Sequence, residues 1–253
     1  MNVNGSTALD RQRVVLLHGF TQTSQSWLPL AEQLVRQGDL ETILFDLPGH
    51  GRSSHVESDL RETAHLVAVA GRATYVGYSM GARLALHVAL ERPELVERLV
   101  LISGTAGLDT ESERSERRAA DGLLAERAIN EGVTNFVASW LRGPLFRTFH
   151  ATIDDVAARN TSTPEGLASS LRISGTGSQQ PLWNELRNLA IPTLIVAGSL
   201  DAKFTGLGHR LAATIAEHAS FRPIADAGHA AHLEKPTEFL SELRAFLFPW
   251  VVA

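Results

Sequence analysis

The chain has 253 residues, 44% of them hydrophobic, and a formal net charge of -5. That length suits one α/β domain, or one domain with an insertion, and the hydrophobic share supports a buried core and excludes a disordered chain. The acidic balance argues against nucleic-acid binding, and with no cysteine there is no disulfide, no thiolate metal site and no thiol nucleophile.

Residues 1–10 are polar and lack a basic segment followed by an apolar one, so no signal peptide is expected there. No apolar run is long enough to cross a bilayer, and a cytoplasmic enzyme is the default expectation. Residues 13–17 are a short apolar stretch of the kind a buried parallel strand needs, and they lead into His18-Gly19-Phe20-Thr21. Trp27, Leu30, Ala31, Leu34 and Val35 recur at helical spacing, which predicts an amphipathic helix over 26–37, stopped by Gly38. A second strand is expected over 42–45. In the loop that follows, Pro48, Gly49 and Gly51 dictate turn geometry, so Asp46 and His50 are read as structural rather than catalytic. Leu60, Ala64, Val67 and Ala68 mark the next helix.

An extended run over 73–76 then meets Gly77-Tyr78-Ser79-Met80-Gly81, and a helical run follows over 82–91. Strand, sharp turn and helix form the setting in which Gly-x-Ser-x-Gly is a nucleophile elbow. The turn strains the backbone of its central residue, so small neighbours are required on both sides. A further apolar strand, 96–102, ends at Ser103-Gly104. The alternation of strand and helix to this point is that of a doubly wound parallel sheet.

The texture then changes. Residues 109–131 are crowded with charge, and strands do not resume until Pro192. An all-helical stretch inserted before the last strands reads as a lid over the strand C-termini. The expected organisation is therefore a core of residues 1–107 and 186–253, interrupted by a helical lid over 108–185. Most of the inserted charges are expected on a solvated helical face. The sheet resumes at 193–197 and leads to Asp201. A last strand over 221–224 leads to His229, and a helix over 236–248 closes the chain.

Ser79, Asp201 and His229 occur in the order Ser, Asp, His, each at the end of an expected strand. A serine hydroxyl reacts only once an imidazole takes its proton, and the imidazole needs a carboxylate to fix its tautomer and stabilise its cation. His232 and Asp226 are rivals for the last two roles. His229 is preferred because it follows Gly228 directly after the strand, and Asp226 is assigned to the loop. No metal-ligand spacing and no glycine-rich phosphate loop appears, so no metal and no cofactor is expected.

Along nearly its whole length the chain resembles the α/β-hydrolase superfamily. In that setting the backbone N–H groups of Phe20 and Met80 form the oxyanion hole. Several stretches resemble one branch, the 2-succinyl-6-hydroxy-2,4-cyclohexadiene-1-carboxylate synthases of menaquinone biosynthesis. They include Leu17-His18-Gly19-Phe20, the 46–51 loop, Glu116-Arg117-Arg118 with Asp121, and Trp140 with Pro144-Leu145-Phe146. Ser170-Leu171-Arg172 with Gly175-Thr176-Gly177, Asp201-Ala202-Lys203-Phe204 and the 227–232 loop complete the set. One departure is Ala82, where the branch usually has glycine. The resemblance implies a small-molecule substrate with three carboxylates, bound without nucleic acid or membrane. It implies that Arg117 or Arg118, together with Arg172, reaches from the lid to carboxylates, that Tyr78 presents its hydroxyl beside the nucleophile, and that Trp140 walls the pocket. It implies proton abstraction alpha to the succinyl ketone, with loss of pyruvate. The triad alone fits a carboxylesterase, lactonase or carbon–carbon bond hydrolase equally well, and a ligand-binding protein on the same fold is a third reading.

Overall fold

A computed structural model of the chain describes residues 12–36 and 40–249. The helix stop expected at Gly38 and the polar residues 1–10 lie outside the described residues. Six strands are present: β1 (Gln12–Leu17), β2 (Leu40–Leu44), β3 (Ala73–Tyr78), β4 (Val96–Ile102), β5 (Thr193–Gly198) and β6 (Ala219–Ile224). All neighbours are parallel and the order is β2-β1-β3-β4-β5-β6. The chain leaves β1 toward one edge and returns on its other side as β3. This reversal opens a crevice at the C-terminal ends of β1 and β3, where parallel sheets place their ligands. Leu17 pairs with Gly77 and Gly77 with Leu101, so the three central strands end level and their loops meet.

Side chains alternate along each strand, which sorts the core into two layers. On one face Val15, Leu17, Tyr75 and Leu99 pack with Leu84, Ala85 and Val88. On the other, Val14, Leu16, Val76 and Val100 pack with Trp27, Leu34, Phe239 and Leu243. The helices of the first half are α1 (Leu28–Arg36), α2 (Leu60–Val67) and α3 (Met80–Glu91). The first differs from the spacing-based expectation. Ser24–Trp27 forms a tight 3-10 turn, with the Thr23 hydroxyl accepting from the Gln25 N–H, and the α-helix starts only at Leu28. Val35, expected on the core face, is 47% exposed. The strand expected over 42–45 runs from Leu40 to Leu44 instead.

Between β4 and β5 the described chain is helical: α4 (Glu111–Leu141), α5 (Ile153–Arg159), α6 (Pro164–Ser174) and short 3-10 turns. A capping box starts α4, with Thr110 Oγ1 accepting from the Glu113 N–H and the Glu113 carboxylate accepting from the Thr110 N–H. At Gly132 the backbone adopts φ 72 and ψ 162, so α4 runs as two helical pieces meeting at an angle. Its inner face forms a small core of its own with α6: Ala125, Ala128, Phe136 and Val137 against Leu167, Ala168 and Leu171. Phe20, from the loop after β1, touches both this core and the main one. Several of the inserted charges are exposed ion pairs, such as Arg118–Glu111 and Arg127–Glu131, which water and salt screen. Asp121, Arg114 and Arg159 are buried instead. The chain closes with α7 (Ala202–Ile215), α8 (Ala231–Glu234) and α9 (Pro236–Leu247). Among the described residues no helix is long and apolar enough to cross a membrane.

The Gly132 conformation is one that only glycine adopts without strain, and no atom stands within 4 Å of the position a Cβ would take. Gly132→Ala should therefore destabilise the protein by about 1–3 kcal/mol through backbone strain alone. Urea denaturation of the two proteins measures this directly.

Candidate active site

The site begins with a backbone that has no room for side chains. A Cβ on Gly77 would stand 2.1 Å from the Gly81 carbonyl oxygen, and one on Gly81 would stand 2.1 Å from that of Leu17. The tight crossing turns the chain through Ser79 at φ 52 and ψ -104. Ser79 stands at the N-cap of α3, yet its side chain makes no capping hydrogen bond there. The hydroxyl instead meets His229 Nε2 at 3.2 Å. His229 Nδ1 lies 2.9 Å from Asp201 Oδ2. The other Asp201 oxygen accepts from the Phe204 N–H at 3.2 Å, which ties the carboxylate to the start of α7.

The loop carrying His229 is held at three points. Ser103 Oγ donates to the His229 carbonyl oxygen at 2.8 Å. The Glu234 carboxylate accepts from the N–H groups of Gly228 (2.8 Å) and Ala230 (3.1 Å). Asp226 is exposed at φ 55, and its N–H donates to Ser199 Oγ, so it shapes the turn. His232 is buried between Trp27 and Tyr78, with ring centroids at 4.6 and 4.4 Å, and neither of its nitrogens has a hydrogen-bond partner. Burial first, then the neighbouring His229 and Arg159, lower its pKa to about 3. It is a neutral packing residue.

The loop after β1 is braced by imidazoles. His18 Nε2 accepts from the Leu47 N–H and His50 Nε2 from the Thr21 N–H. Desolvation lowers the pKa of His18 to about 3 and that of His50 to about 4, so both stay neutral as acceptors must. Asp46 binds the N–H groups of Ser24 and Arg52. Burial pushes its carboxyl up, but these bonds outweigh it and leave it below the usual carboxylate range. It stabilises the loop and does not reach the triad. With Gly19 and Thr21 engaged, the N–H groups of Phe20 and Met80 are unpaired with protein acceptors among the described residues. Both residues line the cavity above Ser79.

That cavity measures about 690 Å³, counting its open mouth. Its aromatic wall is Phe20, Trp140 and Phe204, with the Trp140 and Phe20 rings edge to face at 5.2 Å and the Phe204 and His229 rings at 4.4 Å. Among the described residues three cationic side chains line it, Arg83, Arg117 and Lys203, and no carboxylate does. Among the described residues there is no cluster of His, Cys, Asp or Glu suited to a metal ion.

The sequence-based site residues are thus only partly gathered here. Arg117 lines the cavity, whereas Arg118 turns away and donates to the Gly177 carbonyl and to Glu111. Arg172 is exposed and off the cavity wall, its place on α6 lying beside the inward-facing Ser170, Leu171 and Ser174. Tyr78 does not line the cavity either. Its ring lies under the site, 5.4 Å from that of His229, and its hydroxyl is buried without a partner instead of opening on the cavity. Two cavity cations went unassigned from the sequence. Arg83 follows Ser79 by four residues, so helical spacing on α3 was a usable signal. It is 6% exposed and donates to Gln179 Oε1 and the Ser174 carbonyl. Burial first and Arg117 second lower its pKa to about 10, which keeps it charged at neutral pH. Lys203 belongs to the Asp201-Ala202-Lys203-Phe204 stretch, but only the placement of the start of α7 brings it to the cavity. At Ala82 the extra methyl is accommodated because its neighbour is Gly104, where a Cβ would stand 2.7 Å from it.

The alpha/beta hydrolase family model matches residues 14–243, and the chain belongs to that family. It is 34% identical over 252 residues to the putative 2-succinyl-6-hydroxy-2,4-cyclohexadiene-1-carboxylate synthase of Bacillus subtilis, covering 93% of this chain and 90% of that protein. To the synthase of that name from Salmonella typhimurium it is 32% identical over 243 residues, covering 92% and 93%. It superposes on MenH from S. aureus with a TM-score of 0.86 at 30% identity, over 94% of each chain.

His18, His50 and His232 have folded pKa values below the ordinary 6.5. As pH falls below 6.5 the unfolded chain gains protons that these folded imidazoles refuse, so stability is present above that pH and is lost down to about pH 4. Each group contributes up to about 1.4 kcal/mol per pH unit in that window. Urea denaturation between pH 6.5 and 4.5 should show this slope, made shallower by about one proton in His232→Phe.

Proposed function

We propose that the protein is a lyase of menaquinone biosynthesis that eliminates pyruvate from 2-succinyl-5-enolpyruvyl-6-hydroxy-3-cyclohexene-1-carboxylate, giving 2-succinyl-6-hydroxy-2,4-cyclohexadiene-1-carboxylate. The observation that carries this reading is the cavity lining: three cations and no carboxylate above a serine triad. The substrate has three carboxylates, on the ring, the succinyl arm and the enolpyruvyl group. An ester of a neutral acid has no use for three converging cations, whose mutual repulsion must be overcome.

The change in double bonds defines the chemistry. The substrate has a double bond at C3 and the product has them at C2 and C4. A proton therefore leaves C2, alpha to the succinyl ketone, and the C5–O bond breaks. In this reading Ser79 Oγ takes the C2 proton while its own hydroxyl proton passes to His229 Nε2. Asp201 stabilises the resulting imidazolium. The electrons freed at C2 enter the ketone as an enolate, whose oxygen the Phe20 and Met80 N–H groups hold. Collapse of the enolate shifts the ring double bond and expels the enol oxygen. The proton on His229 goes to the leaving group, which becomes pyruvate, and Ser79 and His229 return to their starting states. No water and no acyl-enzyme is required, and a cofactor has no part in the sequence.

The helical segment 108–185 contributes Arg117, Trp140 and the Ser170–Thr176 side of the cavity, which supports its role as a lid on the core of residues 1–107 and 186–253. In this reading Arg83 and the expected Arg117 are the carboxylate ligands, with Lys203 as the third cation.

Pyruvate release should be lost by a factor of about 10³ or more in Ser79→Ala. Arg83→Gln and Arg117→Gln should each raise KM by about 10- to 100-fold, the worth of one charge-assisted hydrogen bond. Arg172→Gln should stay within about twofold of the parent. A parent protein that releases no pyruvate but cleaves a short-chain ester in a Ser79-dependent way would establish the hydrolase reading instead.

A further inference from the structure

One carboxylate lies against the cavity without lining it. Asp121 sits on α4 four residues after Arg117, and its Oδ1 accepts from Arg117 Nε at 2.8 Å. An i,i+4 pair is common on helices, but this one is built unlike its neighbour. In Arg127–Glu131 both side chains are open to water, at 48% and 33% exposure, whereas here the guanidinium is 38% exposed and the carboxylate 2%. The anion is inside and the cation extends from it to the cavity. We propose that Asp121 is a positioning residue, which grips Arg117 by Nε and so aims its two terminal nitrogens at a substrate carboxylate. This deepens the lyase reading and rests on it for the identity of that carboxylate.

Three features support the assignment. First, Nε is the only Arg117 nitrogen bonded to protein among the described residues. A guanidinium held at Nε keeps the pair of terminal N–H groups that matches a carboxylate fork to fork. Arg83 is arranged the other way, with both terminal nitrogens committed to Gln179 and Ser174. Arg117 is therefore the bidentate ligand of the two.

Second, the pair is a poor stabilising device. Asp121 Oδ2 is buried with no hydrogen-bond partner. Burial pushes the carboxyl up, against the opposing pull of Arg117 and Arg83. A buried, half-satisfied ion pair costs desolvation that a packed apolar residue would not. Its return is that two guanidiniums converging on one cavity share a counter-charge when no substrate is present.

Third, the wall in front of Asp121 is made thin. A Cβ on Gly175, which lines the cavity, would stand 2.6 Å from Asp121 Oδ2. A Cβ on Gly177 would stand 2.6 Å from the Arg114 carbonyl oxygen and 2.7 Å from the Arg118 nitrogen. The Gly175-Thr176-Gly177 segment thus lies directly on α4 and leaves the carboxylate one backbone away from the substrate space.

The test is a double-mutant cycle with Asp121→Asn, which keeps the shape and an acceptor oxygen and removes the charge. KM should rise about 10-fold with kcat within about twofold of the parent. In an Arg117→Gln background the same change should leave KM where it was, because there is no guanidinium left to aim. An unchanged KM in the single variant, or losses that multiply in the double variant, overturns the proposal, since a merely structural role is additive. The second readout needs no turnover: the ¹⁵N resonance of the Arg117 Nε–H, identified by its absence in Arg117→Lys, should shift in Asp121→Asn. If the parent releases no pyruvate, the lyase reading falls and this resonance alone decides the positioning role. An unmoved resonance overturns it.

Discussion

The site depends on a crossing with no space in it. At the end of β3 the chain reverses into α3 so closely that neither Gly77 nor Gly81 has room for a methyl group. Ser79 is left between them in a left-handed conformation that a non-glycine residue adopts only under constraint. The strain is held by the central sheet: the Ser79 N–H donates to the Ile102 carbonyl at 2.9 Å, and the last four residues of the strands on either side are buried. Once the elbow exists, the hydroxyl, the Met80 N–H and the positive end of α3 are all directed into the same space. The other residues of the site are positioned relative to that point by the level ends of β1, β4, β5 and β6.

Desolvation then assigns roles to histidines of identical chemistry. His18, His50 and His232 are buried without carboxylate partners, which keeps them neutral, and the first two act as hydrogen-bond acceptors that brace loops. His229 is buried with Asp201 on one nitrogen and Ser79 on the other, so its ring is oriented from both sides. Arg159 on α5, 1% exposed and bonded to Asp155 and Thr21, joins the inserted helices to the loop that carries Phe20. The loop after β1 is thus held from the sheet side by imidazoles and from the helical side by a guanidinium.

The cavity cations come from three different elements, Arg83 from α3, Arg117 from α4 and Lys203 from α7. Concentrating positive charge in a site walled by aromatic rings is unfavourable unless an anionic ligand is to be bound, because the low-dielectric wall strengthens repulsion and attraction alike. A protein of net charge -5 has no general attraction for anions, so the selectivity is local.

Local chemistry alone determined the fold class and the order of its elements. Continuous apolar runs, helical spacing and the Gly-x-Ser-x-Gly turn are short-range signals, and the six parallel strands and the helical insertion follow from them. The positions of Ser79, Asp201 and His229 were legible for the same reason, since each sits at the end of a strand. The lining of the cavity was legible only in part: Arg117 and Trp140 do line it. Arg172 and Arg118 are arginines in motif-like stretches, yet one points to solvent and the other to a carbonyl, while Arg83 and Lys203 face inward. Which side of a helix meets a cavity depends on how α4 and α6 pack, and that packing depends on the bend at Gly132 and on Gly175 and Gly177, whose close approaches bring together residues far apart in the chain. Tyr78 shows the same limit: being next to the nucleophile in sequence sends its side chain to the opposite face of the sheet, because strand residues alternate. Tertiary packing alone decided the orientation of these side chains, and with it which charges a substrate would meet.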